Sequence, residues 1–177
     1  MHRAASPAWI GVSNLSEVTH QPKALHWLAL GVAALVVVID QITKTLALHA
    51  LVNHAVQLVG PFSFALAYNP GSSFSLLQGS TGPLMVIEVL FIGLLGFLGM
   101  RSSHRWTQVA LGLMLGGAMG NFVDRVFRDH HGSVIDFIAS TFWPTFNVAD
   151  ACITVGAVIM VVVLVMDLVR GDTTRDA

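Results

Sequence analysis

The stretch TFNVADACITVGAVIMVVVLVM, residues 145–166, decides the class of fold. Its residues 151–166 carry no charged side chain, and about 20 such residues cross the hydrocarbon core of a bilayer. The stretch nevertheless begins with Asn147 and Asp150. A carboxylate near a bilayer is costly and usually has a function. The stretch therefore predicts a membrane helix that starts at a functional site.

The composition of the whole chain agrees with a membrane protein. Of its 177 residues, 54% are hydrophobic and only 11% are charged, whereas about a quarter are charged in soluble domains. The net charge of −1 gives no argument for a nucleic-acid partner. The single cysteine, Cys152, excludes an internal disulfide framework and a cysteine-cluster metal site.

Four apolar stretches are long enough to cross a membrane: residues 25–48, 84–100, 106–126 and 148–169. They predict an all-α membrane protein with four transmembrane helices and polar tails at residues 1–24 and 170–177. Four crossings leave both termini on one side, and six of the 9 basic residues flank that side. The positive-inside rule therefore predicts that both tails are cytoplasmic.

The segment between the first two predicted helices, residues 52–83, contains no Lys, Arg, Asp or Glu. Within it, aromatic and aliphatic residues from Phe62 to Tyr68 alternate with Ser and Ala, which is the period of a β-strand. The following YNPGSSFS has turn chemistry. We expect a small sheet at the outer membrane face that offers backbone groups to an extended peptide.

Two spacings predict how the helices pack. Asp40 and Lys44 are four residues apart, so they share one face of the first helix and are able to pair. Gly112, Gly116 and Gly120 form a small-residue face along the third helix, which allows another helix to approach closely. The pair has a purely structural interpretation as a neutralised salt bridge, and the glycines as a packing surface.

Further polar residues gather at the same predicted end of the bundle. Asn121, Asp124 and Arg125 cluster at the end of the third helix, where Arg125 is predicted to hydrogen-bond a carboxylate in two places. An Asn cap and an aspartate in the first turn of a helix also have a structural explanation. The complete set at this end is Asp40, Lys44, Asn69, Asn121, Asp124, Arg125, Asp136, Asn147 and Asp150. So many polar groups at one depth favour a site, whereas Glu88 and Asp167 are left outside it.

The chemistry that fits these residues is acid–base catalysis by paired carboxylates. Two aspartates that share a space do not both ionise easily, so one keeps its proton while the other activates water. Asp136 and Asp150 are the predicted pair, and the sequence leaves open which of them starts protonated. This arrangement needs no metal and no cofactor.

The chain resembles the type II, or prolipoprotein, signal peptidases of bacteria, peptidase family A8. The resemblance spans residues 25–169 and rests on five motifs in order. They are DQITK at residues 40–44, AYNPGSSFS at 67–75, GGAMGNFVDR at 116–125, VIDF at 134–137 and FNVAD at 146–150.

The resemblance implies an aspartyl endopeptidase of the cytoplasmic membrane with its active site near the outer face. Its substrates are prolipoproteins, cut on the amino side of a diacylglyceryl-modified cysteine, and its inhibitors are globomycin-type cyclic peptides. Membrane lipids surround it. Carried onto this chain, the catalytic pair is Asp136 and Asp150. The residues expected to support or line the site are Asp40, Lys44, Asn69, Gly71, Asn121, Asp124, Arg125 and Asn147.

Two other classes of protein also keep carboxylates in membrane helices. An ion-coupled transporter usually has internal repeats and a site near the bilayer midplane, but the chain shows no repeat and its carboxylates gather at one end. A non-catalytic scaffold would use the polar cluster only to hold helices together. Loss of peptidase activity without loss of folding separates the peptidase from both.

Overall fold

The structure is a computed structural model that describes residues 26–71 and 81–173. Its helices are α1 (His26–Leu51), α2 (Thr81–Arg101), α3 (Arg105–Phe127) and α4 (Val148–Thr173), and its strands are β1 (Val56–Gln57), β2 (Phe62–Asn69) and β3 (Val134–Ser140). Each helix lies within a few residues of its predicted bounds, although α4 extends beyond the predicted residue 169. The predicted tail at residues 1–24, residues 174–177 of the predicted tail at 170–177 and residues 72–75 of the predicted turn lie outside the described residues.

The four helices alternate in direction. A Cβ added to Gly112 of α3 would meet Ala29 of α1, and one added to Gly116 would meet Ala33. Because the contacts advance in the same direction along both helices, α1 and α3 run parallel. An added Cβ at Gly117 would meet Ala149, whereas one at Gly156 of α4 would meet residues of α3 closer to its start, so α4 runs the opposite way. The end at which α1 and α3 finish and α4 begins is called the site end below.

Glycines set the closest helix contacts. A Cβ on Gly112 would lie 2.6 Å from the carbonyl oxygen of Ala29, and one on Gly116 would lie 2.7 Å from that of Ala33. Only a residue without a side chain lets the α1 backbone come so near to α3. This confirms the predicted role of the small-residue face.

Helix α3 lies among the other three helices and contacts each of them. Much of its surface is buried by protein, including Gln108 and Asn121. Helices α1, α2 and α4 are long and apolar enough to cross a membrane, over Trp27–Leu51, Gly82–Arg101 and Val148–Arg170. Helix α3 faces protein on several sides, and its sequence is less apolar than the sequences of the other three helices. Its crossing of the membrane stays a prediction.

A three-stranded antiparallel sheet with the order β1-β2-β3 completes the fold. Strand β2 confirms the strand predicted from the alternation after Phe62. Between Phe64 and Ala67 the register shifts, so that β2 carries one residue more than β3 over this interval. Strand β3 was not predicted. On its other side, Ile138 forms an antiparallel bridge with Phe146, the residue before Asn147.

The sheet is attached to the site end by an apolar cluster. Ala47 and Leu51 from the last turns of α1 pack with Phe137 of β3, and side chains of β2 and of the start of α4 surround them. Burial of each large apolar side chain contributes roughly 1.5–3 kcal/mol. The cluster therefore holds β3, which carries Asp136, against the bundle.

The glycine contacts give a test of the helix packing. We expect Gly116→Ala to lower the free energy of unfolding by about 1–3 kcal/mol, since the added methyl group overlaps the α1 backbone. Gly93→Ala in α2 is the control, because a Cβ there meets nothing within 4 Å. Thermal unfolding in detergent, followed by circular dichroism, measures both. Equal midpoints for the two variants would contradict this packing.

Candidate active site

The two predicted catalytic aspartates come from different elements at the site end. Asp136 lies in the middle of β3, and its side chain is buried, with 1% exposed. Asp150 lies in the first turn of α4 and is half-buried. The sheet brings one carboxyl group to the bundle, and the start of a helix brings the other.

Asn147 connects both carboxyl groups. Its side-chain oxygen accepts a hydrogen bond from the backbone N–H of Asp150 at 2.9 Å, and its own backbone N–H donates to Oδ2 of Asp150 at 3.2 Å. This reciprocal arrangement is a capping box. In addition, its Nδ2 donates to Oδ1 of Asp136 at 2.7 Å. Asn147 is therefore both a helix cap and the bridge between the aspartates.

Two further asparagines complete the hydrogen bonds of the pair. Nδ2 of Asn69 donates to Oδ2 of Asp136 at 3.1 Å, and Nδ2 of Asn121 donates to Oδ1 of Asp150 at 2.9 Å. Each of the four carboxyl oxygens thus accepts a hydrogen bond. Both carboxyl groups are held in fixed orientations, as preorganised catalysis requires.

Gly71 contributes through its backbone. Its N–H donates to Oδ1 of Asn69 at 2.9 Å, which closes a tight turn after β2. Its φ of 89° lies in the left-handed region that favours glycine. Because the oxygen of Asn69 accepts this bond, the amide nitrogen of Asn69 faces Asp136.

A cluster of buried charges lies directly behind the pair. Lys44 has no exposed surface, and its Nζ lies 2.7 Å from Oδ2 of Asp40 and 2.9 Å from Oδ2 of Asp124. The predicted pairing of Asp40 with Lys44 is confirmed. Nε of Arg128 lies 3.2 Å from Oδ1 of Asp124. Two cations balance two carboxylates, and this balance is what makes their burial tolerable.

Lys44 also fixes the orientation of the site amides. Its ammonium group donates to Oδ1 of Asn121 at 2.9 Å. Because an ammonium group has no acceptor, the oxygen of Asn121 must face Lys44. The amide nitrogen of Asn121 then faces Asp150.

The two carboxylates of the cluster hold the backbone of α4 and β3. Oδ1 of Asp40 accepts a hydrogen bond from the N–H of Ala149 at 2.9 Å, next to Asp150. Oδ2 of Asp124 accepts one from the N–H of Ile135 at 3.1 Å, next to Asp136. Helices α1 and α3 thereby position α4 and β3.

Arg125 lies apart from the pair. Its guanidinium group lies 2.8 Å from Oε1 of Glu88 on α2. Arg125 was predicted to bond a carboxylate of the site, and it pairs instead with Glu88, which the prediction had left outside the site. Sequence reasoning missed Arg128 and Gln41, both of which bond Asp124. Arg128 follows Asp124 by four residues, and this spacing was the signal that could have found it.

The surroundings of Asp136 change its protonation. Burial, which disfavours the charged carboxylate, and the nearby negative charge of Asp150 together raise the pKa of Asp136 to about 6. Hydrogen bonds from Asn69 and Asn147 act in the opposite direction but do not outweigh burial. The pair therefore has one carboxyl group that keeps its proton up to about pH 6.

Within residues 26–71 and 81–173, no three His, Cys, Asp or Glu side chains are grouped so as to hold a metal ion. His130, a histidine near the site end, packs against the ring of Tyr68 at 4.7 Å between ring centroids.

Apolar helices of membrane-spanning length and a pair of aspartates at one end are features that a membrane enzyme would have. Comparison with known proteins gives the family. The sequence profile of peptidase A8, signal peptidase II, matches residues 32–166, and the chain therefore belongs to the signal peptidase II family and is a peptidase.

Individual relatives agree with this assignment. A lipoprotein signal peptidase of Rhodococcus jostii is 40% identical over 164 residues, covering 89% of this chain and 80% of the relative. One of Mycobacterium avium is 39% identical over 168 residues, covering 88% of this chain and 92% of the relative. A solved bacterial membrane enzyme, determined by the in meso method, superposes with a TM-score of 0.70 at 26% identity, over 79% of this chain and 88% of that one.

The buried charges give a second test. We expect Lys44→Met to cost about 3–5 kcal/mol of unfolding free energy, because it leaves two carboxylates buried without their shared cation. Adding Asp40→Asn should recover part of this loss, since one uncompensated charge is then removed. Chemical or thermal unfolding in detergent compares the single and double variants. A double variant less stable than Lys44→Met would contradict the charge balance.

Proposed function

We propose that the chain is an aspartic endopeptidase that removes signal peptides from diacylglyceryl-modified prolipoproteins, cutting on the amino side of the lipidated cysteine. The observation that carries this proposal is the pair of Asp136 and Asp150, whose carboxyl groups are both hydrogen-bonded to Asn147. The substrate class follows from the relatives that are named lipoprotein signal peptidases and from the motifs of the family.

The two aspartates differ in the roles we assign to them. The raised pKa of Asp136 makes it the member that holds a proton. Asp150 lies in the first turn of α4, where the peptide dipoles stabilise negative charge, so it is the base. Asp150 takes a proton from a water molecule, which attacks the carbonyl carbon of the scissile bond, and Asp136 gives its proton to the departing amine. Proton exchange with solvent then restores the starting state.

The remaining site residues position this pair. Asn69, Asn121 and Asn147 fix the directions of the carboxyl oxygens. Lys44 and the carboxylates around it hold Asn121 and the backbone of α4 and β3 in place. Misplacement of a reacting group by about 1 Å is enough to cost roughly 100-fold in rate, so we expect these residues to affect kcat more than substrate binding.

The proposal places the protein in the membrane with four crossings and with both termini in the cytoplasm. The alternating helix directions and the excess of basic residues at the end opposite to the site support this orientation. The site end then lies at the outer face. The acyl chains of the substrate remain in the bilayer and bring the scissile bond to the height of the two aspartates. Globomycin-type cyclic peptides would compete for this position.

Substitution of the pair tests the catalytic assignment. We expect Asp136→Asn and Asp150→Asn each to lower cleavage of a diacylglyceryl-modified prolipoprotein by about 10³-fold or more, since each removes one half of the acid–base pair. Gel mobility of the substrate measures cleavage, and circular dichroism of the purified variants measures folding. Asp129→Asn is the control, because Asp129 is exposed and lies outside the hydrogen-bonded pair.

Two outcomes would overturn the assignment. Retained cleavage in both variants would exclude the pair as the catalytic groups. Loss of the folded state in both variants, with normal folding of Asp129→Asn, would favour a scaffold whose polar cluster is structural.

The pH dependence of the reaction tests the role of Asp136. Its proton is present below its pKa of about 6 and is lost above it. Because Asp136 must be protonated to act as the acid, kcat/KM should fall about tenfold for each pH unit above this value. Initial rates at subsaturating substrate measure the profile. A kcat/KM that rises between pH 6 and about 8 would contradict the assigned role.

A further inference from the structure

A row of side chains leads along α4 from the catalytic pair toward the other end of the bundle. Asp150, Thr154, Val158, Val162 and Met166 follow one another at intervals of four residues. Residues at this spacing adjoin on the helix surface, in a row that is inclined to the helix axis. With a rise of 1.5 Å per residue, the row is about 24 Å long.

Two cavities lie on this row. The first has a volume of about 410 Å³ and is the one away from the site end, where Val158, Val162 and Met166 face His104 and Trp106 from the start of α3. It is called the distal cavity below.

The second cavity has a volume of about 400 Å³ and includes Asp150 itself. Aromatic side chains of the sheet and of the segment before α4 form its wall, among them Phe62, Phe142 and Trp143. It is called the proximal cavity, and it adjoins one of the two aspartates.

The two cavities adjoin. Val155 lines the proximal cavity and Val158 lines the distal cavity, and these residues are neighbours on one face of α4. On this face of α4, Val155, Val158 and Val162 are each at least 50% exposed in the protein. The face of α4 that carries both cavities, from Asp150 to Met166, is called the α4 groove.

We infer that the α4 groove binds the apolar segment of the signal peptide and that the distal cavity responds to the length of this segment. The inference rests on the proposed function. The scissile bond must reach Asp150, so the residues on its amino side start in the proximal cavity and continue from there. A signal peptide has an apolar segment of about 7–15 residues, which as a helix spans about 10–23 Å. The groove has this length and this chemistry.

The far end of the groove fits what precedes such a segment. His104, Asp167 and Arg170 line the distal cavity beyond Met166. The residues before the apolar segment of a signal peptide are positively charged, and Asp167 is the acidic side chain of this lining. The charged residues of the signal peptide would leave the groove at these side chains. A signal peptide with a shorter apolar segment would end before the distal cavity.

Filling the distal cavity tests the inference. Val162 lies about 18 Å along α4 from Asp150, so Val162→Trp blocks the groove far from the chemistry. Two purified, diacylglyceryl-modified substrates are compared, one with an apolar segment of about 15 residues and one with about eight. We expect Val162→Trp to raise KM for the long substrate about tenfold, the change that loss of one buried apolar side chain produces. Its kcat for the long substrate and both constants for the short substrate should stay unchanged.

Val161→Trp is the matched control. Val161 is 59% exposed and lines neither cavity, so the same substitution there should alter neither substrate. An unchanged KM of Val162→Trp for the long substrate would overturn the inference. It would indicate that membrane lipid, and not the signal peptide, occupies the distal cavity. An equal rise for both substrates would also overturn it. If the wild-type protein cleaves neither substrate, it is the proposed function that fails.

Discussion

The ammonium group of Lys44, buried between Asp40 and Asp124, is the interaction on which the rest of the structure depends. A charge removed from water is tolerated only when countercharges surround it, so α1 and α3 must approach closely at this depth. Gly120 makes the approach possible at this depth, since an added Cβ would lie 2.6 Å from Oδ2 of Asp40, and Gly112 and Gly116 continue the close contact along α1. The packing of the two helices and the position of the charges are therefore one constraint.

Hydrogen bonds transmit this constraint to Asp136 and Asp150 and fix the orientation of their carboxyl groups. Lys44 faces the oxygen of Asn121, which turns the amide nitrogen toward Asp150. The carboxylates paired with Lys44 accept hydrogen bonds from the backbone N–H groups of Ala149 and Ile135, next to Asp150 and Asp136. Asn147 then bridges the two carboxyl groups. The buried salt bridge of Asp40 and Lys44 thus also braces the surrounding groups, a role with which the predicted pairing was compatible.

Regular spacings made much of the fold predictable from the sequence. The interval of four residues between Asp40 and Lys44, the glycine repeat of α3 and the alternation in β2 each follow from local geometry. Strand β3 was missed because VIDFIAS is buried on both faces at its start, so it does not alternate. The partner of Arg125 was missed because it lies on α2, and no spacing within one helix indicates a contact between helices. The modest hydropathy of α3 also has its explanation in the bundle, because α3 contacts the other three helices and these contacts are not visible in the sequence.

The central claim is that Asp136 and Asp150 form one coupled pair in which Asp136 holds the proton. Carbon-13 NMR of the protein with labelled aspartate carboxyl groups tests it most directly, with the signal of Asp136 assigned by its loss in Asp136→Asn. The account predicts that this signal titrates with a pKa of about 6, and that Asp150→Asn lowers the midpoint, because the charge of Asp150 is one of its causes. A midpoint at the ordinary value of 3.8 that does not respond to Asp150 would contradict it.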